Sequence, residues 1–258
     1  MLNWNAGYQA WALQAKMRRY ADPVVVQIYC EVLQKFRLAA QGRGRSARRP
    51  PPELRERVAT YFDPLPFYYA PLESLATDAK DYPLAAVTQR PMAMYHSWDS
   101  QNAWLRQIHS HNYLYVNART AEAAGIRDGA WIWAESQWGK VRCMARHSEA
   151  VEPGTVWTWN AIGKASGAWR LEADADESRK GFLLNHLISD ELPAADGRRM
   201  SNSDPITGQA GWYDVRVRIR PCAPGEAEQS APQFVAMPAL PGTGSARGWR
   251  ARFMGRRP

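Results

Sequence analysis

The stretch YLYVNARTAEAAGIRDGAWIWAESQWGKVRCMARHSEAVEPGTVWTW, residues 113–159, decides the fold. Its first five residues (113–117) are aromatic and β-branched, which suits a pleated, half-buried strand. ARTAEAAG (118–125) is an Ala-rich helical turn that Gly125 ends, and Asp128-Gly129 supplies a tight turn. Strands follow over 130–136 and 140–146, joined by the hairpin residues Gln137-Trp138-Gly139. Pro153-Gly154 then delivers the chain into a further strand, 155–159. Trp131 and Trp133, and Trp157 and Trp159, alternate along these strands. That spacing predicts packing on a sheet face rather than stacking platforms for bases.

Working outward, LAAVT (84–88) reads as an earlier strand, followed by a polar loop. DVRVRIR (214–220) alternates strictly, with Val215, Val217 and Ile219 on one face and arginines on the other, until Pro221 stops it. Upstream, Pro23 and the helical spacing of Val25, Ile28, Val32 and Phe36 predict a helix over 23–41. A Gly/Arg/Pro loop (42–52), a short helix (53–61) and the strap DPLPFYYAPLE (63–73) follow, where each proline removes a ladder donor. Three segments result: a helical and extended part (1–81), a β-rich domain (82–221) and a basic Pro/Gly-rich, poorly ordered tail (222–258).

The 258 residues are 45% hydrophobic and 11% aromatic, enough for a real core, and no 18-residue apolar window predicts a spanning helix. The net charge of +8 is unevenly placed. Residues 1–60 hold 11 basic and 4 acidic side chains, the last 18 hold five and none, and the 180 between hold 17 and 21. The basic balance thus belongs to the ends, Arg43, Arg45, Arg48 and Arg49 among them, and not to a basic nucleic-acid face. Cys30, Cys143 and Cys222 lie far apart, which excludes a disulfide scaffold and a CxxC metal site. The first residues lack the basic-then-apolar blocks of an export signal. His96, His109 and His111 could supply imidazoles to zinc, but no cysteine or carboxylate completes a ligand spacing, so no metal ligand is assigned.

The order helix cap, DG turn, hairpin glycine and PG turn resembles the C-terminal domain of the molybdopterin oxidoreductases of the DMSO-reductase family. That resemblance implies a mainly β fold with some α, a double-psi β-barrel. PLAAVTQRPMAMYHSWDSQNAWLRQIH (83–109) is similar to the family's first barrel strand and the loop that reaches the pterin. NHLISDELPAADGRRMSNSDPITGQAGWYDVRVRI (185–219) is similar to its late Asn-x-Leu loop and closing strand. The finer likeness, over residues 1 to 220, is to the molybdopterin subunits of membrane-attached cytoplasmic sulfite dehydrogenases, with thiosulfate and polysulfide reductases as relatives. Family catalytic subunits are far longer and carry iron–sulfur and molybdenum-ligating regions that have no counterpart here, so the chain alone is expected to be inactive.

The resemblance implies a molybdopterin guanine dinucleotide (bis-MGD) with molybdenum. Such a bulky, phosphorylated ligand needs loops of donors and acceptors more than one catalytic group. The expected contacts are Thr88, Gln89, Arg90, His96, Ser97, Trp98, Ser100, Gln101 and Asn102, with Asn185, His186 and Gln209 from the later loop. A surface loop of incidental polarity, and a capping role for Asn185, are the plainer readings. The expected partners are the remainder of the catalytic subunit, an iron–sulfur subunit for electron transfer and a subunit that anchors the assembly, at the cytoplasmic face of the membrane. The alternatives are a stand-alone basic barrel that binds nucleic acid, or a non-catalytic assembly protein.

Overall fold

A computed structural model describes residues 10–11, 13–16, 28–44, 48–100, 102–160, 162, 170–172, 174–193, 199–210, 215–226, 228 and 230–235. Gln101, Arg45, residues 23–27 of the expected helix and residues 236–258 of the expected tail lie outside these. Two compact units emerge, one of residues 1–69 with 205–208, the other of residues 70–204 with 209–258.

In the first unit, α1 (Glu31–Ala40) and α2 (Pro52–Tyr61) pack on each other. The helix expected from residue 23 begins only at Glu31. Ile28 to Cys30 are not helical, Cys30 caps in an extended conformation, and its amide donates to the Pro64 carbonyl, 2.8 Å away. An amide engaged by the Pro-rich strap cannot also enter a helical ladder. Phe36 meets Phe62 edge-to-face at 6.0 Å, yet Ile28, Val32 and Phe36 remain exposed.

The second unit holds a closed six-stranded barrel. Its strands are β1 (Leu84–Gln89), β2 (Tyr113–Val116), β3 (Trp131–Ser136), β4 (Gly139–His147), β5 (Thr155–Trp159) and β8 (Val215–Pro221). They pair in the order β2-β5-β1-β8-β3-β4, and β4 pairs back with β2 to close the ring. The pairs β1–β5 and β2–β4 are parallel and the others antiparallel. Closure leaves no edge of the ring open, and alternation turns Leu84, Ala86, Leu114, Val116, Ile132, Ala134, Val156, Val215 and Val217 inward. Each such Leu, Ile or Val contributes about 1.5–3 kcal/mol on burial. The short helix α3 (Leu72–Ala76) precedes β1, while α4 (Ala103–Ile108), α5 (Ala118–Ala123) and the hairpin β6 (Glu191–Pro193) with β7 (Arg199–Ser201) lie in the connections between strands.

Gly125 and Gly129 adopt φ of +68° and +74°, the left-handed conformation their turns require. Gly139 serves a different purpose. A Cβ there would stand 2.7 Å from the Gln233 carbonyl oxygen and 3.2 Å from that of His186, so its value is close backbone approach. Gln233 belongs to β9 (Gln233–Phe234), which pairs with the start of β4. Residues 222–226, 230 and 233–235, expected within a poorly ordered tail, thus continue to pack on the barrel. Glu226 accepts from the Trp133 indole at 3.0 Å, and Ser230 donates to the Ser178 carbonyl at 2.9 Å. Specific anchors at Glu226, Ser230 and Phe234 outweigh the Pro/Gly composition of this stretch.

On the outer face of β3 and β8, Glu135 is 6% exposed and accepts from Arg218 at 2.8 Å and Arg220 at 2.9 Å. Burial alone would raise its pKa, but the two guanidinium hydrogen bonds prevail and hold it below the ordinary 4.5. A depressed folded-state pKa gives stability that is complete above the unfolded value and lost as pH falls through the folded one. Glu135→Gln should therefore lower the melting temperature at pH 7, and the gap from wild type should narrow progressively as pH falls below the ordinary glutamate value. Thermal melts across pH 3–7 test this; a gap that stays constant into acid would contradict it.

Candidate functional site

Strand direction gathers the site. Strands β1, β3 and β5 run one way and β2, β4 and β8 the other, so one barrel end collects the last residues of the first three and the first residues of the others. The connections 90–112 and 160–214 both leave and re-enter at this end, as does the Gln137–Trp138 hairpin. Every described candidate residue named from the sequence lies on these connections or on the last two residues of β1. The opposite end is closed by local ties. Asn117 donates to the Val151 carbonyl at 2.8 Å, and Asp128 accepts from the His147 amide at 2.8 Å.

Thr88 and Gln89 are the final residues of β1, opposite Thr158 and Trp159 in parallel register. Arg90 then turns its guanidinium over the Tyr95 ring (5.9 Å), and that ring meets the His96 imidazole edge-to-face at 4.9 Å. Arg90 and His96 are thus gathered around one aromatic side chain. His96 opens a short 3-10 turn, His96–Asp99, with φ of +50°, a left-handed conformation that β-carbon residues seldom adopt. Asp99 stabilises the turn by accepting from the Tyr95 amide at 2.7 Å. Ser100 is buried and Trp98 is exposed. Asn102 works locally, its Oδ1 accepting from the Trp104 and Leu105 amides at 3.0 and 3.4 Å to cap α4.

Further along, Asn185 and His186 form a 3-10 turn, Leu184–Leu187, set by Ser136 donating to the Leu187 carbonyl at 2.7 Å. Asn185 points to the surface. The Nδ1 of His186 is buried and has no hydrogen-bond partner, and desolvation lowers the imidazole pKa, which keeps it neutral. Gln209 is exposed, and its carbonyl accepts from the Asp204 amide at 2.6 Å. His109 and His111 part company: the first tilts on Trp159 (5.4 Å), the second stacks on Tyr113 (5.8 Å). Burial raises the Cys143 thiol and holds Cys222 at about 11, so neither is a thiolate at neutral pH.

Inward positions are apolar along most of the barrel, then turn polar at this end: at Thr88, which the sequence reading named, and at Asn112 and Thr158, which it missed. Asn112 is buried and ties three segments: its Nδ2 donates to the carbonyls of Trp159 (2.9 Å) and Phe182 (3.1 Å), and its Oδ1 accepts from Thr158 at 2.9 Å. Asn160 follows β5, and its amide donates to the Gln89 carbonyl at 2.8 Å. Its side-chain oxygen is buried without a partner among the described residues. The only sequence signal was position: an Asn one residue before β2 and another one residue after β5.

A second buried group, Glu73 on α3, also escaped sequence reading. Its carboxylate accepts from the Trp138 indole (2.8 Å), Thr77 (3.2 Å) and Asn202 (3.3 Å). Since Asn202 also donates to the Ser189 carbonyl at 2.9 Å, Glu73 fastens the β3–β4 hairpin and the segment after His186 together.

A closed barrel of this pairing, with polar connections converging on one mouth, defines a ligand-cradling domain. Residues 84–200, from β1 into β7, match the family described as the molydopterin dinucleotide binding domain. The chain is 64% identical over 257 residues to the A subunit of sulfite dehydrogenase from Allochromatium vinosum, covering 99% of this chain and 26% of that protein. It is 31% identical over 78 residues to the molybdopterin-containing subunit of thiosulfate reductase from Salmonella typhimurium, covering 30% of this chain and 10% of that one. Among solved structures, acetylene hydratase from Pelobacter acetylenicus aligns over 62% of this chain and 22% of its own, at 23% identity and a TM-score of 0.48. The chain therefore spans about a quarter of the length of the sulfite dehydrogenase protein it matches.

The cofactor of this domain is a molybdopterin guanine dinucleotide carrying molybdenum. The residues present fit such a group. The mouth offers a cation, imidazoles, hydroxyls and amides, and His186 keeps a buried ring nitrogen unspent. Among the described residues, no helix is long and apolar enough to cross a membrane.

Proposed function

We propose that this chain is the cofactor-holding C-terminal portion of a molybdenum oxidoreductase that acts on sulfite or a closely related sulfur oxyanion. The observation that carries the reading is convergence: the connections bearing Arg90, His96 and His186 open from one end of a barrel of the molybdopterin dinucleotide-binding class. The substrate follows from the 64% identity to the A subunit of sulfite dehydrogenase. The residues expected at the cofactor are those named from the sequence: Thr88, Gln89, Arg90, His96, Ser97, Trp98, Ser100, Gln101, Asn102, Asn185, His186 and Gln209.

When bound, the molybdenum group supplies two-electron chemistry, so that sulfite and water become sulfate, two protons and two electrons. The barrel's part is to hold and orient. Arg90, propped on Tyr95, presents positive charge to phosphate, and His96, fixed by its turn, presents a ring nitrogen. His186, neutral and half-buried, offers a donor or acceptor to the pterin edge. The walls exclude water, which strengthens each of these hydrogen bonds. The proposed companions are the rest of the molybdopterin subunit, an iron–sulfur subunit for electron transfer and a membrane anchor at the cytoplasmic face. The segment 1–81 then belongs with the preceding part of the catalytic chain, and 82–221 forms the cofactor-binding domain.

The test compares His96→Ala with His147→Ala in the intact enzyme, after expression in a host that makes the cofactor. His147 sits at the far barrel end, its ring beside the Ile126 carbonyl at 3.1 Å. Loss of one hydrogen bond to a neutral or charged ligand group costs about 1–3 kcal/mol, so His96→Ala should retain roughly 5- to 100-fold less pterin and molybdenum per polypeptide. His147→Ala should match wild type. Equal loading of both variants would remove the loop from the site, and no pterin in wild type would remove the cofactor reading itself.

A further inference from the structure

We propose that Asn160 is a cofactor-binding residue, its side-chain oxygen an acceptor reserved for an N–H of the pterin edge. This rests on the cofactor reading above, and it adds a residue outside the loops that the sequence pointed to. The argument starts from the strand pattern. Along β5, Val156 and Thr158 are fully buried while Thr155, Trp157 and Trp159 are partly exposed, so the inward period falls on even positions. Asn160 is the next residue on that period, at the mouth. Its backbone is held in place, because its amide donates to the Gln89 carbonyl and so extends the β1–β5 ladder by one rung.

The neighbours of Asn160 are fully occupied. Asn112 satisfies Thr158 and the Trp159 and Phe182 carbonyls, and Thr158 also reaches the Trp159 carbonyl at 3.3 Å. The Oδ1 of Asn160 is sealed from solvent and has no hydrogen-bond partner among the described residues. An unpaired buried carbonyl is destabilising, and a fold that needed only to be stable would place an apolar side chain there. A retained orphan acceptor at the mouth of a ligand-cradling barrel marks the position of a missing donor. The pterin bicycle carries an exocyclic amine and ring N–H groups along one edge, and a neutral amide oxygen is a suitable acceptor for them. The orphaned Nδ1 of His186, on the same β5-to-β8 connection, is a second unspent group of this kind.

The experiment uses Asn160→Leu, which keeps the side-chain size and removes the acceptor, in the full chain. Two preparations are compared with wild type, one from a host that makes molybdopterin guanine dinucleotide and one from a host that cannot make molybdopterin. In the cofactor-free preparation the variant should melt roughly 2–4 °C higher, because the orphan is gone. In the cofactor-making host it should retain at least fivefold less pterin, measured as fluorescence of the oxidised pterin per polypeptide. Gain of stability with loss of ligand separates a binding residue from a structural one. A variant that melts lower while free of cofactor, or that holds as much pterin as wild type, would overturn the assignment. If wild type from the cofactor-making host carries no pterin, the cofactor reading fails first, and that result is distinct from equal loading of the two proteins.

Discussion

Phe182→Ala should cost the barrel about 3–5 kcal/mol, the range for truncating a fully buried phenylalanine. Phe182 is 1% exposed and belongs to the core cluster with Leu114, Val116, Leu184 and Leu187. It is the apolar plug by which the long connection after β5 seals onto the barrel. The cavity left behind cannot collapse easily, because the Phe182 carbonyl is tied to Asn112 at 3.1 Å and holds the backbone in place. Urea unfolding should show a lower midpoint with an unchanged slope. A loss below about 1 kcal/mol would mean that this segment packs loosely and does not position the Leu184–Leu187 turn.

Asn112→Ala should cost about 3 kcal/mol by a different route. The substitution removes little apolar contact but strands the Phe182 carbonyl inside the mouth and leaves the Trp159 carbonyl and the Thr158 hydroxyl only their 3.3 Å contact with each other. Each unpaired buried group costs about 1–3 kcal/mol, and partial hydration of the gap moderates the sum. The melting temperature should fall by roughly 6–12 °C. Hydrogen exchange should speed up at residues 158–160 and 182–187 ahead of the rest of the barrel, since Asn112 is what joins them. Uniform acceleration across all six strands would instead make Asn112 an ordinary core residue.

Three arginines of the described residues bear on the nucleic-acid alternative considered from the sequence. Arg218 and Arg220, on the polar face of β8, are engaged by Glu135, while Arg37 in the first unit is paired with Asp63. These guanidinium groups are spent on intramolecular carboxylates and do not form an open phosphate-binding track.

The strands and turns of the barrel were legible in the residues, and the barrel itself was implied by the family resemblance that their order carries. Period-two alternation in 214–220, the Asp128-Gly129 turn, the QWG hairpin and the Pro153-Gly154 entry are local signals, and local signals specify strands and the turns between them. The polar loop after β1 was legible too, because a run of His, Ser, Gln and Asn between two strands is visible without knowing what it faces. The fate of individual side chains was not. Asn102 and Asn112 look alike in the sequence, yet one caps a helix with its Oδ1 and the other clamps three backbone segments. Those roles depend on which chain segment lies opposite, and the opposing residues are 46–70 positions away for Asn112. Glu73 is the same case, meeting Trp138 and Asn202 only after the chain has closed. The stretch after β8 read as tail because Pro and Gly carry no pattern, while its partners, β4, Trp133 and Ser178 among them, are set by the closed chain. Gathering of the site at one end was likewise a tertiary outcome: strand direction, fixed by which strands pair in parallel, brings two connections that are distant along the chain to the same mouth.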